Sequence, residues 1–333
     1  MSISYSVVIP AYRCGANLVR AIEGLLAATV PPGRIVVVDD ASGDDTAEVA
    51  RRYGVRVEEL SINAGPARAR NCGASLGTEE IIIFVDADVV VHPDAIVRLL
   101  QQMQQHPAVF GSYDTAPAAP GRISRIRNLI HHWNHQQGAG KVVSFWTGLG
   151  AIRRAVFEEV GGFDERLDFM EDVDLGMRLW QAGHEVMLDP TVLGTHLKEW
   201  TLRSMLKTDF WGRAIPWSRL MLAPENRNVP KALNAEARGK YSVVLVALSL
   251  LGLVGMTITP WAFALFVLCL LGIALLHRTF LTLLSHIGKS GDQSAAIVIL
   301  WLMYLMAGLG FAYVLCERWG CRPRSLRPSA RGL

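Results

Sequence analysis

The sequence predicts an α/β domain built on an open parallel sheet, followed by an α-helical membrane region. Two observations predict the sheet: short, mostly β-branched runs alternate with helix-like segments over the first third of the chain, and several runs stop at acidic residues. The third observation is the apolar excess beyond Tyr241, where three long hydrophobic runs follow one another. A chain of 333 residues is long enough for one domain with its own core and a further part.

Four apolar runs have the length and composition of buried strands: Tyr5–Ile9, Ile35–Val38, Val55–Leu60 and Ile81–Val85. Four helices are predicted between and after them: Ala16–Ala28, a helix after the Ser42–Thr46 turn that is capped by Ser42 or Asp44, a helix opening at Pro66, and a helix from Pro93 to about Gln105. Because strands and helices alternate throughout, we expect all four strands to be parallel.

The strand Ile81–Val85 runs directly into Asp86, Ala87 and Asp88. Open α/β sheets bind ligands at the carboxyl ends of their strands, and Asp40 follows the second strand at the same edge. Carboxylates two residues apart point the same way, and their oxygens suit Mg²⁺ or Mn²⁺ held together with substrate phosphates. A solvated turn is the alternative explanation for such a pair.

Asn63–Asn71 is a second candidate for binding an anion. Its helix opens at Pro66 and carries Arg68 and Arg70 near the start, so backbone N–H groups and guanidinium groups occur together. A solvated arginine is the alternative in this position as well. The first strand ends without a Gly-x-Gly-x-x-Gly turn or a P-loop, which argues against dinucleotide-dependent dehydrogenases and P-loop NTPases.

The segment after Val109 is less regular. Adjacent histidines at His131, His132 and His135 cannot all face one metal ion on a helix, so we expect a helix beside an acceptor groove instead of a metal site. Val142–Trp146 is predicted to be a strand. It enters a turn in which Gly148 and Gly150 would let a sugar or phosphate approach the backbone.

Two further helices complete this region, Arg153–Val160 and one opened by Glu171 and Asp172. Gly183 is a natural residue to follow the end of the second helix. Acidic residues in a first turn are commonly only partners of the helix dipole. The apolar positions of this helix that are expected to pack inward are Leu175, Met177, Leu179 and Trp180.

Composition excludes several classes of protein. The net charge of +3, without a basic stripe carrying interleaved aromatics, argues against nucleic acid as a partner. The N-terminus shows no charged and apolar signal sequence, so the first domain is expected to stay in the cytoplasm. Five scattered cysteines without metal-site spacing are expected to be reduced: Cys14, Cys72, Cys269, Cys316 and Cys321.

Six motifs in order resemble the signature of family-2 inverting glycosyltransferases with the nucleotide-sugar-binding GT-A fold, a Rossmann-like α/β architecture. The resemblance covers roughly Ser4–His196. The motifs are SVVIPAYR (Ser6–Arg13), VVVDDASGDDT (Val36–Thr46), NAGPARARN (Asn63–Asn71), FVDAD (Phe84–Asp88), TGLGAIRRAVFEEVGGFDE (Thr147–Glu165) and EDVDLGMRLWQAG (Glu171–Gly183).

The resemblance implies a role for each matching residue on the donor side. Pro10, Ala11 and Tyr12 would line the nucleotide base pocket, and Asp40 would hydrogen-bond the base. Arg70 would lie near the donor nucleotide-sugar.

The same resemblance implies the metal and acceptor residues. Asp86 and Ala87 would lie beside the ribose or sugar, and Asp88 would bind a divalent metal, Mg²⁺ or Mn²⁺, that bridges the diphosphate. His196 would complete the metal shell. Asp172 would be the catalytic base, with Glu171, Gly148 and Gly150 on the acceptor side.

The chemistry is consistent with these roles. The leaving diphosphate gains negative charge that a divalent cation can neutralise, and an attacking hydroxyl must lose a proton to a base such as Asp172. A phosphate acceptor needs no base, so the Glu-Asp motif favours a hydroxyl acceptor on a glycan or lipid-linked substrate. Transfer to polyprenyl phosphate and a non-catalytic nucleotide-sugar-binding protein are the alternatives. A compact pocket at Tyr12 and Asp40 favours UDP over GDP.

The rest of the chain is predicted to associate with membrane lipids. We expect four divisions: residues 1–196 as the GT-A domain, 197–240 as amphipathic interfacial helices and a linker, 241–316 as about three transmembrane helices, and 317–333 as a basic tail. The apolar runs are Tyr241–Ile258, Trp261–Leu276 and Ser294–Cys316.

The expected location is the cell membrane, as a multi-pass protein with the catalytic domain on the cytoplasmic face. Arg238, Lys240, Arg278 and Lys289 agree with a cytoplasmic linker and second loop. Three spans would then place the basic tail outside, against the positive-inside tendency, so one run is interfacial or the tail is an exception. The segment before Tyr241 is also compatible with a helix that caps the sheet.

Overall fold

The computed structural model describes residues 3–230 and 237–320. The chain divides into two compact units. The first comprises the chain up to Pro120 together with His131–Glu199, and the second comprises Gly121–Ile130 together with the chain from Trp200 onward. The four sequence-based divisions remain a prediction.

The described part of the first unit contains a nine-stranded sheet with the order β3-β2-β1-β4-β8-β6-β9-β5, and β7 pairs with β9. The strands are β1 (Tyr5–Ala11), β2 (Ile35–Asp39), β3 (Arg56–Glu59), β4 (Ile81–Val85), β5 (Val89–Val91), β6 (Ala108–Tyr113), β7 (Gly140–Val142), β8 (Leu149–Arg153) and β9 (Val186–His196). The helices are α1 (Gly15–Ala27), α2 (Thr46–Arg51), α3 (Pro66–Ser75), α4 (Ala95–Gln102), α5 (Arg122–Gln137), α6 (Arg154–Glu159) and α7 (Glu171–Gln181). Residues of α5 up to Ile130 belong to the second unit.

The predicted α/β fold is confirmed, and the prediction that β1 to β4 are parallel is correct. The parallel arrangement does not continue: β8 pairs antiparallel with both β4 and β6, and β5 pairs antiparallel with β9. The sheet is therefore mixed beyond β4. The alternation of strands and helices predicts parallel pairing only for the first four strands, because the connections after β4 are irregular.

Both faces of the sheet are covered, which explains the uninterrupted apolar runs. Val7 and Ile9 of β1 join one buried cluster with Ile22 of α1. Val36 and Val38 of β2 point the other way, into a smaller cluster with residues of α3. Successive residues of a strand face opposite sides, so a strand buried on both sides is apolar at most of its positions.

Three local predictions are wrong. Val142–Trp146 is not a strand, because β7 ends at Val142 and the next strand begins at Leu149. Pro93 lies outside α4, which begins at Ala95 with Asp94 as its N-cap. Trp180 is 39% exposed, because it faces away from the buried side of α7 that carries Leu175, Met177 and Leu179.

The predicted cap of α2 is also wrong. Asp45 is its N-cap residue and makes no side-chain cap hydrogen bond. Asp44 accepts a hydrogen bond from the backbone N–H of Thr46 at 3.0 Å, and Ser42 is engaged elsewhere. By contrast, Pro66 opens α3 and Gly183 has the positive φ of +85° expected of a residue that follows a helix.

The second unit is helical. Its later elements are α8 (Leu202–Lys207), a π-helical segment (Thr208–Ala214), α9 (Ile215–Leu222), α10 (Ala237–Gly255), α11 (Trp261–Leu276), α12 (Arg278–Ile287) and α13 (Asp292–Arg318). The π-helical segment packs on α13, where Gly310 leaves no room for a Cβ against Ala214, and Phe210 and Trp211 contact Tyr313.

Two described helices, α10 and α13, are long and apolar enough to cross a membrane. The pair α11 and α12 would add a third span only if it counts as one broken helix, since it bends by 72°. The predicted transmembrane run Trp261–Leu276 is therefore not long enough to count as a membrane-spanning helix by itself. Cys14, Cys72, Cys269 and Cys316 are free cysteines, whereas Cys321 and the arginines of the predicted tail beyond Arg318 lie outside the described residues.

Candidate functional site

The site residues of the first unit begin at the carboxyl end of β1. Pro10 and Ala11 are the last two residues of the strand, and Tyr12, which follows, is 42% exposed. The Arg13 guanidinium lies 5.2 Å from the centroid of the Tyr12 ring. The backbone N–H of Asp40 donates to the carbonyl of Ala11 at 2.8 Å, which brings the ends of β1 and β2 together.

Asp40 is buried and anchors the start of α3. Its two carboxylate oxygens accept the backbone N–H groups of Ala64 and Gly65, each at 2.8 Å, and its carbonyl accepts the Asn63 side-chain amide at 3.1 Å. Gly65 is the N-cap of α3 and has φ +93°, a conformation that favours glycine. Asp40 therefore organises the loop that carries Arg70, and its role in base binding remains a prediction.

Asp39 and Ser42 were not among the predicted site residues. Both stabilise the turn at the carboxyl ends of β1 and β2. The Ser42 hydroxyl donates to Asp39 and accepts the backbone N–H of Arg13 at 2.9 Å. Burial raises the pKa of Asp39 above its ordinary value. Arg13 and Ala41 both have positive φ, which strains non-glycine residues and marks this turn as a constrained one.

Asp86, Ala87 and Asp88 follow β4 in a turn. The backbone N–H of Asp86 donates to the Gly148 carbonyl at 3.2 Å, and Ala87 packs into the main buried cluster. The carboxylate of Asp88 lies 3.6 Å from the imidazole of His196, measured from Oδ2 to Nε2. Burial opposes ionisation of Asp88, but His196 outweighs it and holds the pKa of Asp88 below its ordinary value.

His196 is the last residue of β9 and sits opposite Val89 of β5, which explains how a residue far along the chain reaches Asp88. The ring of Tyr113 stacks on it, with 4.1 Å between centroids and 14° between planes. Trp146 contacts the Tyr113 ring edge-on at 4.7 Å. The imidazole thus has little rotational freedom.

The histidines of α5 also join this aromatic group. His131 lies 4.4 Å from Tyr113 and 5.0 Å from Trp146, measured between ring centroids. His132 and His135 hydrogen-bond through Nδ1 to backbone carbonyls of β6, and burial lowers the pKa of His135 to about 4. These contacts are packing and hydrogen-bonding ones, and the predicted placement beside an acceptor groove remains a prediction.

Arg70 occupies the centre of the acidic edge. Its Nη1 donates to Glu171 and its Nη2 to Asp86, each at 2.7 Å. The guanidinium lies 5.7 Å from the Phe163 ring centroid, and its side chain is 5% exposed. Burial favours loss of the proton, but the two carboxylates outweigh it, and the pKa of Arg70 is raised.

Asp172 is in the first turn of α7, whose N-cap residue Met170 has the left-handed φ of +65°. One carboxylate oxygen accepts the backbone N–H of Val173 at 2.8 Å. Burial, and next the charge of Glu171, raise the pKa of Asp172 to about 7. A carboxylate with this pKa can accept a proton near neutral pH, which is what a general base requires.

The phenol of Tyr113 is affected by the charges of three acidic residues. Burial and the charges of Asp88, Asp86 and Asp172 together raise the pKa of its phenol well above the ordinary value. Arg70 hydrogen-bonds both Asp86 and Glu171, so the turn that carries Asp88 and the helix start that carries Asp172 meet at one guanidinium.

Gly148 and Gly150 are buried behind this site and have packing roles. A Cβ at Gly148 would lie 2.2 Å from the Trp146 ring, and one at Gly150 would lie 2.6 Å from the Trp146 carbonyl. The turn therefore needs glycine so that Trp146 can fold back over it. Their predicted place on the acceptor side remains a prediction.

The residues around Asp88 fit a divalent cation in part. An aspartate carboxylate and a histidine imidazole that face each other are ligand types that Mn²⁺ accepts, and hard cations commonly take their remaining ligands from substrate phosphates. Within residues 3–230 and 237–320, no group of three or more histidine, cysteine, aspartate or glutamate side chains is arranged to hold a metal. The protein would supply two ligands.

Comparisons with known proteins relate this domain to a known family. Residues 6–161 match the model of glycosyl transferase family 2. The chain is similar to the glycosyltransferase GlyG of Streptococcus pneumoniae, with 37% identity over 34% of this chain and 40% of that protein. It is also similar to the probable glycosyltransferase YdaM of Bacillus subtilis, with 25% identity over 64% of this chain and 54% of that protein.

The matches thus span about half the length of these two relatives. Among solved structures, the fold resembles that of the mannosyltransferase PcManGT from Pyrobaculum calidifontis, solved in complex with GDP-Man and Mn²⁺. The TM-score is 0.58, the sequence identity is 17%, and the alignment covers 94% of this chain and 88% of that one. At this identity the likeness shows the fold alone.

Proposed function

Since this chain carries a family 2 glycosyltransferase domain with a GT-A-like fold, we propose that it is a membrane-bound, inverting enzyme that transfers a sugar from a nucleotide-diphospho-sugar to a hydroxyl group. The acceptor is a lipid-linked or membrane-proximal glycan. The observation that carries the proposal is the position of Asp172 in the first turn of α7, next to Glu171, which Arg70 links to Asp86 through two hydrogen bonds of 2.7 Å. Burial raises the pKa of Asp172 to about 7. A general base accelerates the reaction only when the acceptor group must lose a proton.

In this proposal, Asp172 removes the proton from the attacking acceptor hydroxyl as its oxygen bonds to the anomeric carbon. The bond from that carbon to the diphosphate oxygen breaks, the nucleoside diphosphate leaves, and a single displacement inverts the anomeric centre. Asp88 and His196 would hold the divalent cation, which, when bound, neutralises charge on the leaving diphosphate. The buried ring of Tyr113 keeps His196 facing Asp88.

On the donor side, Tyr12 offers an exposed ring on which a base can stack, and Asp40 borders the same strand ends. We propose UDP as the nucleotide, since a compact pocket between Tyr12 and Asp40 would suit a pyrimidine base. The solved relative with GDP-Man makes GDP the alternative that an assay must include.

The proposed location is the cell membrane, with the catalytic unit on the cytoplasmic face. It is supported by the two helices α10 and α13, which are long enough and apolar enough to span, and by their exposed apolar side chains such as Leu251, Val254 and Leu309. Tethering the enzyme and a lipid-linked acceptor to one surface raises their effective concentration.

The test is donor hydrolysis and transfer by the full chain purified in detergent. UDP- and GDP-sugars are screened with Mn²⁺ or Mg²⁺, and the screen is repeated with Asp88→Ala and with Trp180→Ser, an exposed control on α7. We expect release of one nucleoside diphosphate that Asp88→Ala abolishes and Trp180→Ser retains. Absence of both release and nucleotide binding for every donor would favour a non-catalytic protein instead.

The polyprenyl-phosphate alternative predicts a different acceptor profile. A phosphate oxygen is already ionised at neutral pH, so its attack gains nothing from Asp172. Supplying polyprenyl phosphate and hydroxyl-bearing lipid-linked glycans as separate acceptors distinguishes the two functions directly, since only the second class of product is expected.

A further inference from the structure

The two arms of Arg70 are both committed to protein carboxylates. Nη1 and Nη2 each donate to a different acid at 2.7 Å, and the side chain is 5% exposed. A guanidinium binds a diphosphate through N–H groups that face it. On Arg70 both Nη atoms face protein carboxylates, and Nε is buried without a hydrogen-bond partner among the described residues. Arg70 instead connects two protein segments, since Glu171 belongs to α7 and Asp86 follows β4.

The neighbouring Asn71 holds the loop that precedes α7. Its side chain donates to the Phe163 carbonyl at 2.9 Å and accepts the Phe163 backbone N–H at 2.9 Å. Adjacent residues of α3 thus hold both the loop and the first residue of α7. The start of this helix, where Met170 has an unfavourable φ of +65°, is fixed by contacts from α3.

We propose that Arg70 is a positioning residue that joins the donor-side carboxylate of Asp86 to Glu171, and so fixes the first turn of α7 and the charge around Asp172, without binding the donor itself. This inference rests on the proposed function, because it assigns Asp172 as the base. It replaces the role beside the donor that the sequence resemblance implied.

The charged groups that act on Asp172 come from three elements. Glu171 on its own helix and Asp86 after β4 disfavour its ionisation, whereas Arg70 of α3 and the backbone N–H of Val173 favour it. Asp172 in turn acts on Tyr113 of β6. Removing the guanidinium would leave three carboxylates without their shared cation, and removing Glu171 would take away one repulsive charge.

The experiment measures kcat/KM against pH for the full chain in detergent, with Arg70→Gln, Arg70→Lys and the control Arg154→Gln. Arg154 is also a largely buried arginine, but its guanidinium donates to the backbone carbonyls of Glu79 and Ala74. In Arg70→Gln we expect the acid limb of this pH profile, the rise of kcat/KM as Asp172 loses its proton, to move to higher pH by about one unit. The pKa of Asp172 rises because a nearby opposite charge is lost. Arg154→Gln leaves the limb in place.

Nucleotide binding supplies the readout that separates positioning from donor binding. For Arg70→Gln we expect the dissociation constant of the nucleoside diphosphate with Mn²⁺ to stay within about threefold of the parent. A rise of about tenfold or more with an unmoved acid limb would overturn the inference and make Arg70 a donor ligand. This binding arm is informative even if no sugar transfer is found, which would count against the proposed function alone.

Two further variants keep the inference open to refutation if Arg70→Gln does not fold. Arg70→Lys retains the positive charge but cannot hydrogen-bond Asp86 and Glu171 at the same time in the same way. The acid limb of its pH profile should therefore stay near that of the parent while kcat falls. Glu171→Gln should move the limb to lower pH, opposite to Arg70→Gln. Shifts in the same direction for both substitutions, or a Lys variant whose limb moves like that of Arg70→Gln, contradict the proposal.

Discussion

Each unit of the molecule contains a buried guanidinium, and the two have opposite charge balance. Arg70 in the first unit serves two carboxylates, Asp86 and Glu171. In the second unit, Asp209 instead receives two guanidinium groups, Arg127 at 2.7 Å and Arg213 at 3.1 Å. The first site has surplus negative charge and the second has surplus positive charge.

The pKa values follow this difference. Burial lowers the pKa of Arg127, and its single carboxylate does not compensate, whereas the two carboxylates around Arg70 outweigh burial. Both Arg127 and Arg213 lie over the Trp200 ring, at 5.4 and 5.6 Å from its centroid, so an aromatic face shares the excess cationic charge. We infer that surplus acid marks the site of chemistry, while the cationic cluster on Trp200 holds helices together.

The largest effect expected from this contrast is on turnover, at the acidic site. Asp172→Asn removes the proposed base but keeps the size of the side chain, so we expect kcat to fall roughly 1,000-fold, the range typical of lost general base catalysis. Nucleotide binding should be retained. Steady-state kinetics with the natural hydroxyl acceptor, together with calorimetry of nucleoside diphosphate binding, measure the two quantities.

Asp174→Asn is the matched control for this substitution. Asp174 lies in the same helical turn, but its carboxylate pairs with Arg178 at 2.8 Å. Its turnover should stay close to that of the parent. Full activity of Asp172→Asn would remove the assignment of the base and favour a phosphate acceptor.

Next in size is a loss of stability at the cationic cluster. Asp209→Ala leaves the buried Arg127 without its carboxylate, and breaking such a pair costs about 3–5 kcal/mol of unfolding free energy. Thermal unfolding in detergent should show a lower midpoint, while the specific activity of the remaining folded protein is unchanged. A catalytic defect without a stability defect would contradict the purely structural role.

Asp172 also predicts a pH-dependent stability effect. Its folded pKa of about 7 exceeds the ordinary value of 3.8, so the folded state holds a proton that the unfolded chain releases, and stability contributed by this group falls as pH rises from about 4 to 7. At pH 8, Asp172→Asn should therefore be more stable than the parent by on the order of 2–4 kcal/mol. Near pH 3 the two should unfold alike.

Thermal unfolding at both pH values tests this sign. A stabilised but inactive variant would show that the site retains a costly carboxylate for its chemistry. An equal difference at pH 3 and pH 8 would instead assign the effect to packing of the amide.

The sequence was sufficient to predict the strands that consist almost entirely of apolar residues. β2 and β4 are buried at every residue, so their composition reports burial directly, and the acidic residues at their ends fall at one edge of the sheet. Val142–Trp146 is also largely apolar, but only Val142 belongs to a strand. There Gly176 lets α7 approach the backbone of Ser144 closely, and Phe145 packs against Phe84 from an irregular segment.

The sequence motifs suggest candidate site residues but not the contacts between them. The roles of Asp86, Asp88 and Asp172 are predictions from their motifs and stay predictions. The hydrogen bond between Arg70 and Glu171, by contrast, joins residues 101 positions apart. No local pattern encodes that distance. The stack of Tyr113 on His196 was missed for the same reason, because it depends on β6 and β9 being neighbours in the sheet.

The smallest expected effect is the sharpest test of the contrast between the two clusters. Replacing both Arg127 and Asp209 with apolar residues, as Arg127→Met with Asp209→Leu, removes the buried pair without leaving either charge unpaired, so stability should change by less than about 1.5 kcal/mol. Arg213, 44% exposed, can turn toward solvent. Turnover should be unchanged.

The equivalent exchange in the first unit, Arg70→Met with Glu171→Leu, also removes a buried pair, and its protein should still fold. Here kcat should fall by at least about tenfold, because the first turn of α7 loses its tether and Asp86 its partner. Equal retention of activity in both double variants would mean that the two arginine clusters are alike in function, and that the charge balance around Arg70 is not what prepares Asp172.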